Sequence, residues 1–268
     1  MKELTKLTDS LIPSERMPLL FVGHGSPANA IEDNVFNRKW AEIGKQMPRP
    51  QAILCISAHW LTSGTFVTAM EKPRTIHDFS GFSDELFRQQ YSVPGSPEMA
   101  EFVQQMQPKD LIRPNFDWGL DHGTWSVLKP MFPMADIPVF QLSIDYSKPP
   151  EFHFELARQL AKLREKGVMV IGSGNIVHNL RLLQFNEQIP EWASDFDTKI
   201  ANWIETNDAQ SVVNFQKMGS LAKMAHPSYD HFLPLIYALG FKSKDEFPEF
   251  FNTGFQLGSI SMRSVIWK

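Results

Sequence analysis

Six short apolar runs constrain this chain more than any other feature of it: residues 19–22, 52–57, 65–69, 138–144, 168–172 and 259–266. The stretches AILCIS and VMVIG lack the alternation that a sheet with one wet face imposes. Strands covered on both faces have no reason to alternate, and they belong to parallel sheets whose crossover helices cover both sides. Segments of helical period lie between the runs. Ile31, Val35, Trp40, Ile43 and Met47 fall on one face. Phe152, Leu156, Leu160 and Leu163 fall on another, ahead of a Gly167 placed as a C-cap, and Trp192, Phe196, Ile200 and Ile204 recur at i+4. The succession predicts an α/β fold, a single domain with a mainly parallel central sheet and helices on both faces. At 268 residues, folding hides roughly 70–75% of the extended chain's surface, enough for one large core. The Pro-rich, polar stretch 72–97 is the one long excursion, a kind of loop that often carries function.

Apolar residues make up 43% of the chain and the formal net charge is −4. With no long basic run, this balance argues against a nucleic-acid binder. The longest membrane candidate, 233–241, is far short of the ~20 residues that span a bilayer. The opening MKELTKLTDSLIPSERMP alternates charged and apolar residues and has no signal-peptide core, so a cytoplasmic location is expected. The single cysteine, Cys55, excludes an internal disulfide. Its setting in AILCISA reads as a buried thiol rather than a nucleophile.

Eight histidines carry the chemical information. His24 follows LLFVG, His59 follows AILCISA, and His178 lies six residues beyond VMVIG. Ligands of open parallel sheets bind at the carboxyl ends of strands, so three histidines at three such ends can meet. In GHGSP, Ser26 suits an N-cap and Pro27 the first helical position, which places His24 in a tight strand-to-helix turn between two permissive glycines. His122 sits in WGLDHGTW beside Asp121, a carboxylate that could fix its tautomer. His231 follows Asp230 near the start of a helix, and His226 lies five residues earlier. The plain alternative for each is a solvated or hydrogen-bonded side chain, the reading given to His153. His77 is balanced between lining a loop over a site and sitting on the surface, while Phe79 and Phe82 would suit an aromatic pocket. GSGN at 172–175 is a weak match to a phosphate-cradling turn. Imidazole ligands favour zinc, iron or copper over magnesium or calcium, and spacing does not choose among them.

Seven stretches in order, FVGHGSP, ISAHW, IHDFSGFSDELF, YSVPGSP, DHGTW, QLSID and SGNIVHNLR, resemble the extradiol ring-cleaving dioxygenases related to the catalytic subunit of protocatechuate 4,5-dioxygenase, with the 4,5-DOPA dioxygenase branch nearest. The resemblance covers the chain from about residue 17 onward. It implies an N-terminal extension, 1–17, and a catalytic domain, 18–268, of phosphorylase/hydrolase-like α/β type. It also implies one divalent metal per chain, Zn2+ or Fe2+, with Fe2+ expected for ring cleavage. His24 and His59 match the first two metal ligands. His178 matches the histidine close to the metal, a ligand in zinc-loaded forms or the acid/base in ring cleavage. His231 matches the last metal-site histidine of the DOPA-type branch, and His122 matches the histidine beside substrate and oxygen. The protocatechuate-type enzymes complete their site with a glutamate, whereas this chain has YDHF, which leaves His231 or Asp230 to do so.

The expected partners are a catechol such as DOPA and O2, giving a semialdehyde such as 4,5-seco-DOPA, with no nucleic acid and no membrane. Oligomeric state is left open, a monomer included. Two alternatives stand beside this reading: a zinc-dependent hydrolase, because the same histidines could activate water, and a non-catalytic metal-binding relative.

Overall fold

Strands form at all six apolar runs, but they do not all enter one sheet. The computed structural model describes residues 14–186 and 188–268, so most of the expected N-terminal extension, residues 1–13, lies outside the described residues. The central sheet contains β1 (Leu19–Gly23), β2 (Ala52–Ser57), β3 (Val139–Gln141), β4 (Val168–Gly174), β5 (Pro248–Phe251) and β6 (Ser264–Trp267). Their order is β5-β6-β1-β4-β2-β3. The four strands β1, β4, β2 and β3 run parallel, while β6 pairs antiparallel with β1 and β5 antiparallel with β6. The sheet is mainly parallel, as expected, with an antiparallel pair on one edge.

Every residue of β1, β2 and β4 is buried, which is why these runs do not alternate. The longer helices are α1 (Val35–Gln46), α2 (Pro97–Gln105), α3 (His122–Met131), α4 (Pro150–Leu160), α5 (Glu191–Glu205) and α6 (Leu233–Phe241). Leu19, Phe21, Leu54, Ile56, Val168 and Val170 pack into one core with apolar residues of α2, α4, α5 and α6. Leu20, Val22, Ile53, Met169 and Ile171 pack into the other with Trp40 and Ile43 of α1 and Trp125 and Leu128 of α3. Successive residues of a strand point to opposite faces, so one unpatterned run feeds both cores. α6 is buried on every side, in keeping with its uniformly apolar sequence.

Several local expectations change. The face drawn from Ile31 to Met47 is not one helix. A four-residue 3-10 turn, Pro27–Ala30, ends at Ile31, and the chain restarts at Asn34, which caps α1 reciprocally with Asn37. The run 65–69 forms a strand, Thr65–Thr68, but pairs with Ile112–Asn115 outside the central sheet. The run 138–144 divides between β3 and the short strand Ile144–Asp145, and 259–266 divides between Ile260–Ser261 and β6. The segment after α4 tightens into 3-10 helix and stops at Gly167, whose φ of 73° is the left-handed C-cap the sequence predicts. Among the described residues no helix is long and apolar enough to cross a membrane.

Candidate metal centre

β1, β2 and β4 end side by side, and their exits build one crevice. His24 follows β1. Its N–H donates to the Gly174 carbonyl at 3.0 Å and its own carbonyl accepts from Asn29 Nδ2 at 3.0 Å. Gly25 turns the chain away with φ 58°, and a Cβ there would lie 2.2 Å from Gln256 Oε1. Ser26 then accepts from Ala28 N–H as the expected cap. His59 follows β2, its N–H donating to Ser57 Oγ at 3.3 Å. His231 arrives from the loop before α6, seated on the end of β4. Asn175 N–H donates to its carbonyl at 2.9 Å, and a Cβ on Gly174 would come within 2.2 Å of that same oxygen. The glycines of GSGN therefore serve close packing against His231 and Pro234.

One potential ligand atom from each of His24, His59 and His231 falls within 4.8 Å of the others. The hydrogen bonds behind the rings decide which nitrogens are free. Ser173 Oγ donates its only proton to the Gly123 carbonyl at 2.6 Å, so at 3.0 Å it accepts from His24 Nδ1–H. His231 Nδ1 donates to Asp230 Oδ2 at 2.8 Å. Both rings thereby keep an unprotonated Nε2. His59 Nε2 lies 3.2 Å from His24 Nε2, and His59 Nδ1 faces Asp78 Oδ2 at 3.4 Å. Asp230 supports His231 from behind and is not part of the converging trio.

His178 stacks flat on His231, ring centroids 3.5 Å apart and 4° from parallel, and stands outside that trio. His122 lies with its ring centroid 3.9 Å from that of His59 and, with Asp78 and His59, makes a second group of closely placed donors. The carboxylate that faces the His122 ring is Asp78, not its neighbour Asp121. Asp121 caps α3 through Thr124 N–H and accepts from Ser57 Oγ and Gln141 Nε2. Asp78 and Ser173 join the site without a motif of their own in the sequence. Asp78 lies in the aperiodic excursion, and the one available signal for Ser173 is a hydroxyl inside an otherwise apolar strand.

The remaining histidines divide. His77 Nε2 bonds the Gln89 carbonyl at 2.9 Å and packs on Phe79, Phe87 and Trp125, closing the excursion on itself. Phe79 also meets His122 edge-on, at 5.6 Å, and Phe82 lies against Phe79. His153 is a buried helix residue bonded to Tyr237 Oη, and buried His226 bonds the Ile176 carbonyl. Cys55 is buried, and burial pushes its thiol pKa up, in keeping with an inert thiol.

Burial, reinforced by the neighbouring imidazoles, holds His24 and His231 well below the ordinary histidine pKa. Burial and His122 take His59 down to about 3 despite Asp78, and burial takes His178 down to about 4 despite Asp230. Burial would raise Asp78, but the His122 ring and backbone N–H, with His59, hold it below the usual carboxylate range. The site therefore presents neutral imidazoles at neutral pH, the ligand form for a borderline divalent ion. Unprotonated nitrogens gathered this closely repel unless a cation lies between them, so the donor set fits a metal.

The family described as the catalytic LigB subunit of aromatic ring-opening dioxygenase matches residues 18–265. A 4,5-DOPA dioxygenase extradiol of Escherichia coli K12 is 46% identical over 265 residues, covering 96% of this chain and 97% of that one. A protein of the same name from Beta vulgaris is 34% identical, covering 91% and 94%. A crystal structure of an uncharacterized protein from Escherichia coli K12 superposes with a TM-score of 0.82 at 40% identity, covering 94% of this chain and 99% of that one.

Proposed function

The chain belongs to the family of the catalytic LigB subunit of aromatic ring-opening dioxygenases, and we propose that within it this enzyme opens the ring of DOPA or a closely similar catechol. It is an extradiol dioxygenase: both atoms of O2 enter the product, and the carbon–carbon bond that breaks lies beside the diol. The relatives' names support the DOPA-type substrate, whose product would be a semialdehyde such as 4,5-seco-DOPA.

The observation that carries the reading is the convergence of His24, His59 and His231, with Nδ1 of each facing a supporting oxygen, on Ser173, Asp78 and Asp230 respectively. We assign these three imidazoles as the metal ligands through Nε2, with Fe2+ as the working ion. A bound Fe2+ would supply the Lewis acidity and the redox capacity that let a catechol react with O2. His122 lies against His59 and His178 against His231, and these two are the candidates for acid/base work. One takes a catechol hydroxyl proton at an unprotonated ring nitrogen, and one returns a proton as the ring opens. Burial keeps His178 neutral, ready to accept rather than donate first. Phe79, packed on His122, gives the ring an apolar neighbour that limits water there.

The test is anaerobic reconstitution with Fe2+, then air and DOPA in an oxygen electrode. One O2 consumed per DOPA, with a yellow ring-opened product, is expected. No oxygen uptake with DOPA or any of a panel of catechols overturns the proposal.

A further inference from the structure

We propose that Asp78 is a positioning residue that keeps the ring proton on Nδ1 of both His59 and His122, turning Nε2 of one toward the metal site and freeing Nε2 of the other as a base. The inference rests on the reading of His24, His59 and His231 as ligands, and it assigns a function to the excursion at 72–97.

Three N–H positions surround one carboxylate. Asp78 Oδ1 accepts from the backbone N–H of His122 at 2.9 Å and lies 3.1 Å from His122 Nδ1, while Oδ2 lies 3.4 Å from His59 Nδ1. His122 Nδ1 is buried and has no hydrogen bond of good geometry among the described residues, and the carboxylate of Asp78, 3.1 Å away, is the acceptor that faces it. An ionised carboxylate accepts and cannot donate, so a ring nitrogen turned to it is stabilised only when it carries the proton. A neutral imidazole has one N–H, and placing it on Nδ1 leaves Nε2 with a lone pair. In His59 that lone pair is on the nitrogen 3.2 Å from His24 Nε2. The nitrogen pair cannot accept a cation while His59 holds its proton there, so the carboxylate behind the ring favours the metal-ready tautomer.

Asp78 is itself held in place. Ile76 N–H donates to the Leu120 carbonyl at 2.8 Å, Trp125 Nε1 donates to the Ile76 carbonyl at 2.8 Å, and Arg74–Thr75 pairs with Gly119–Leu120. These contacts fasten the excursion to the start of α3, where the carboxylate also meets the positive end of a ten-residue helix. Asp78 therefore links a metal ligand, a candidate base and a helix N-terminus through one side chain.

The experiment reads ring tautomers by long-range 1H–15N correlation in the full-length chain, metal-free and loaded with Zn2+, beside Zn2+ affinity by competition with a chelator. In the wild-type chain His122 is expected to carry its proton on Nδ1 in both states, and His59 to do so once Zn2+ is bound. Asp78→Asn presents an amide N–H to one ring; it should move the His122 or His59 proton toward Nε2 and weaken Zn2+ binding about 10–100-fold. A wild-type His122 protonated on Nε2 overturns the inference without any variant. So does an Asp78→Asn chain whose tautomers are unchanged, or whose Zn2+ affinity lies within about threefold of the wild type. Failure of the wild-type chain to take up Zn2+ would instead overturn the ligand reading, and the metal-free spectrum of His122 would still decide the case of Asp78.

Discussion

Ser173 stands 3.0 Å behind His24 and has already given its hydroxyl proton to the Gly123 carbonyl. It can meet His24 Nδ1 only as an acceptor. Ser173→Ala removes that acceptor inside a buried strand and lets the ring rotate or change tautomer. Zn2+ affinity should fall about 10–100-fold, with an unchanged far-ultraviolet circular dichroism spectrum. Titration against a chelator checks this, and equal affinity would show that His24 needs no partner behind it.

His231 and His178 share a ring stack but occupy different positions relative to the trio. His231→Ala should abolish stoichiometric metal binding, because it removes one of three converging nitrogens. His178→Ala should retain metal and lose turnover by about 100-fold or more, the range of acid/base contributions. Metal content and oxygen uptake, measured on the same preparations, separate the two. Loss of metal in His178→Ala would make it a fourth ligand.

Acid should destabilise the chain through two buried histidines outside the trio. Burial pushes His153 and His226 down to about 4 from the ordinary 6.5. The unfolded chain therefore binds more protons than the folded one between these values. Their contribution to stability is intact above pH 6.5, declines as pH falls, and is fully lost below about 4. At about 1.4 kcal/mol per pH unit, each is worth up to about 3 kcal/mol. Urea unfolding of metal-free protein at pH 7, 5.5 and 4 measures the slope. His226→Gln, which can still donate to the Ile176 carbonyl, should flatten it.

A buried ion pair far from the crevice gives the matching control. Arg164 is bonded to Glu246, to the Met17 carbonyl at 2.8 Å and to the Phe241 carbonyl at 3.1 Å. Arg164→Met leaves Glu246 buried without its partner and should cost about 3–5 kcal/mol. Oxygen uptake per folded molecule should not change. A shift of less than about 1 kcal/mol in denaturant unfolding would contradict it.

Much of this was legible in the residues, for reasons that differ by position. β1, β2 and β4 could be read because burial on both faces leaves them uniformly apolar, and their ends then located His24 and His59. The ordered family motifs, not periodicity, pointed to His231, which the structure brings beside His24 and His59, and they suggested the roles proposed above for His122 and His178. Asp78 could not be read, because its meeting with two histidines depends on how residues 72–97 fold back onto α3. Asp121, next to His122 in sequence, points away from it as sequence neighbours often do, because helix geometry turns it toward its own cap. The strand at 65–68 was visible as a strand, but its partner, Ile112–Asn115, was not, since pairing is a long-range choice.

His24, His59 and His231 stand 35 and 172 residues apart along the chain. No local segment contains two of them, and no partly folded intermediate can offer the trio before the carboxyl-terminal third has docked against β4. Contacts this distant in sequence form late and slowly. During synthesis the imidazoles remain scattered until His231 has emerged, so with these three as the proposed ligands stray transition metals would meet isolated side chains rather than a competent trap. Uptake of the ion would then report that the carboxyl-terminal third has docked.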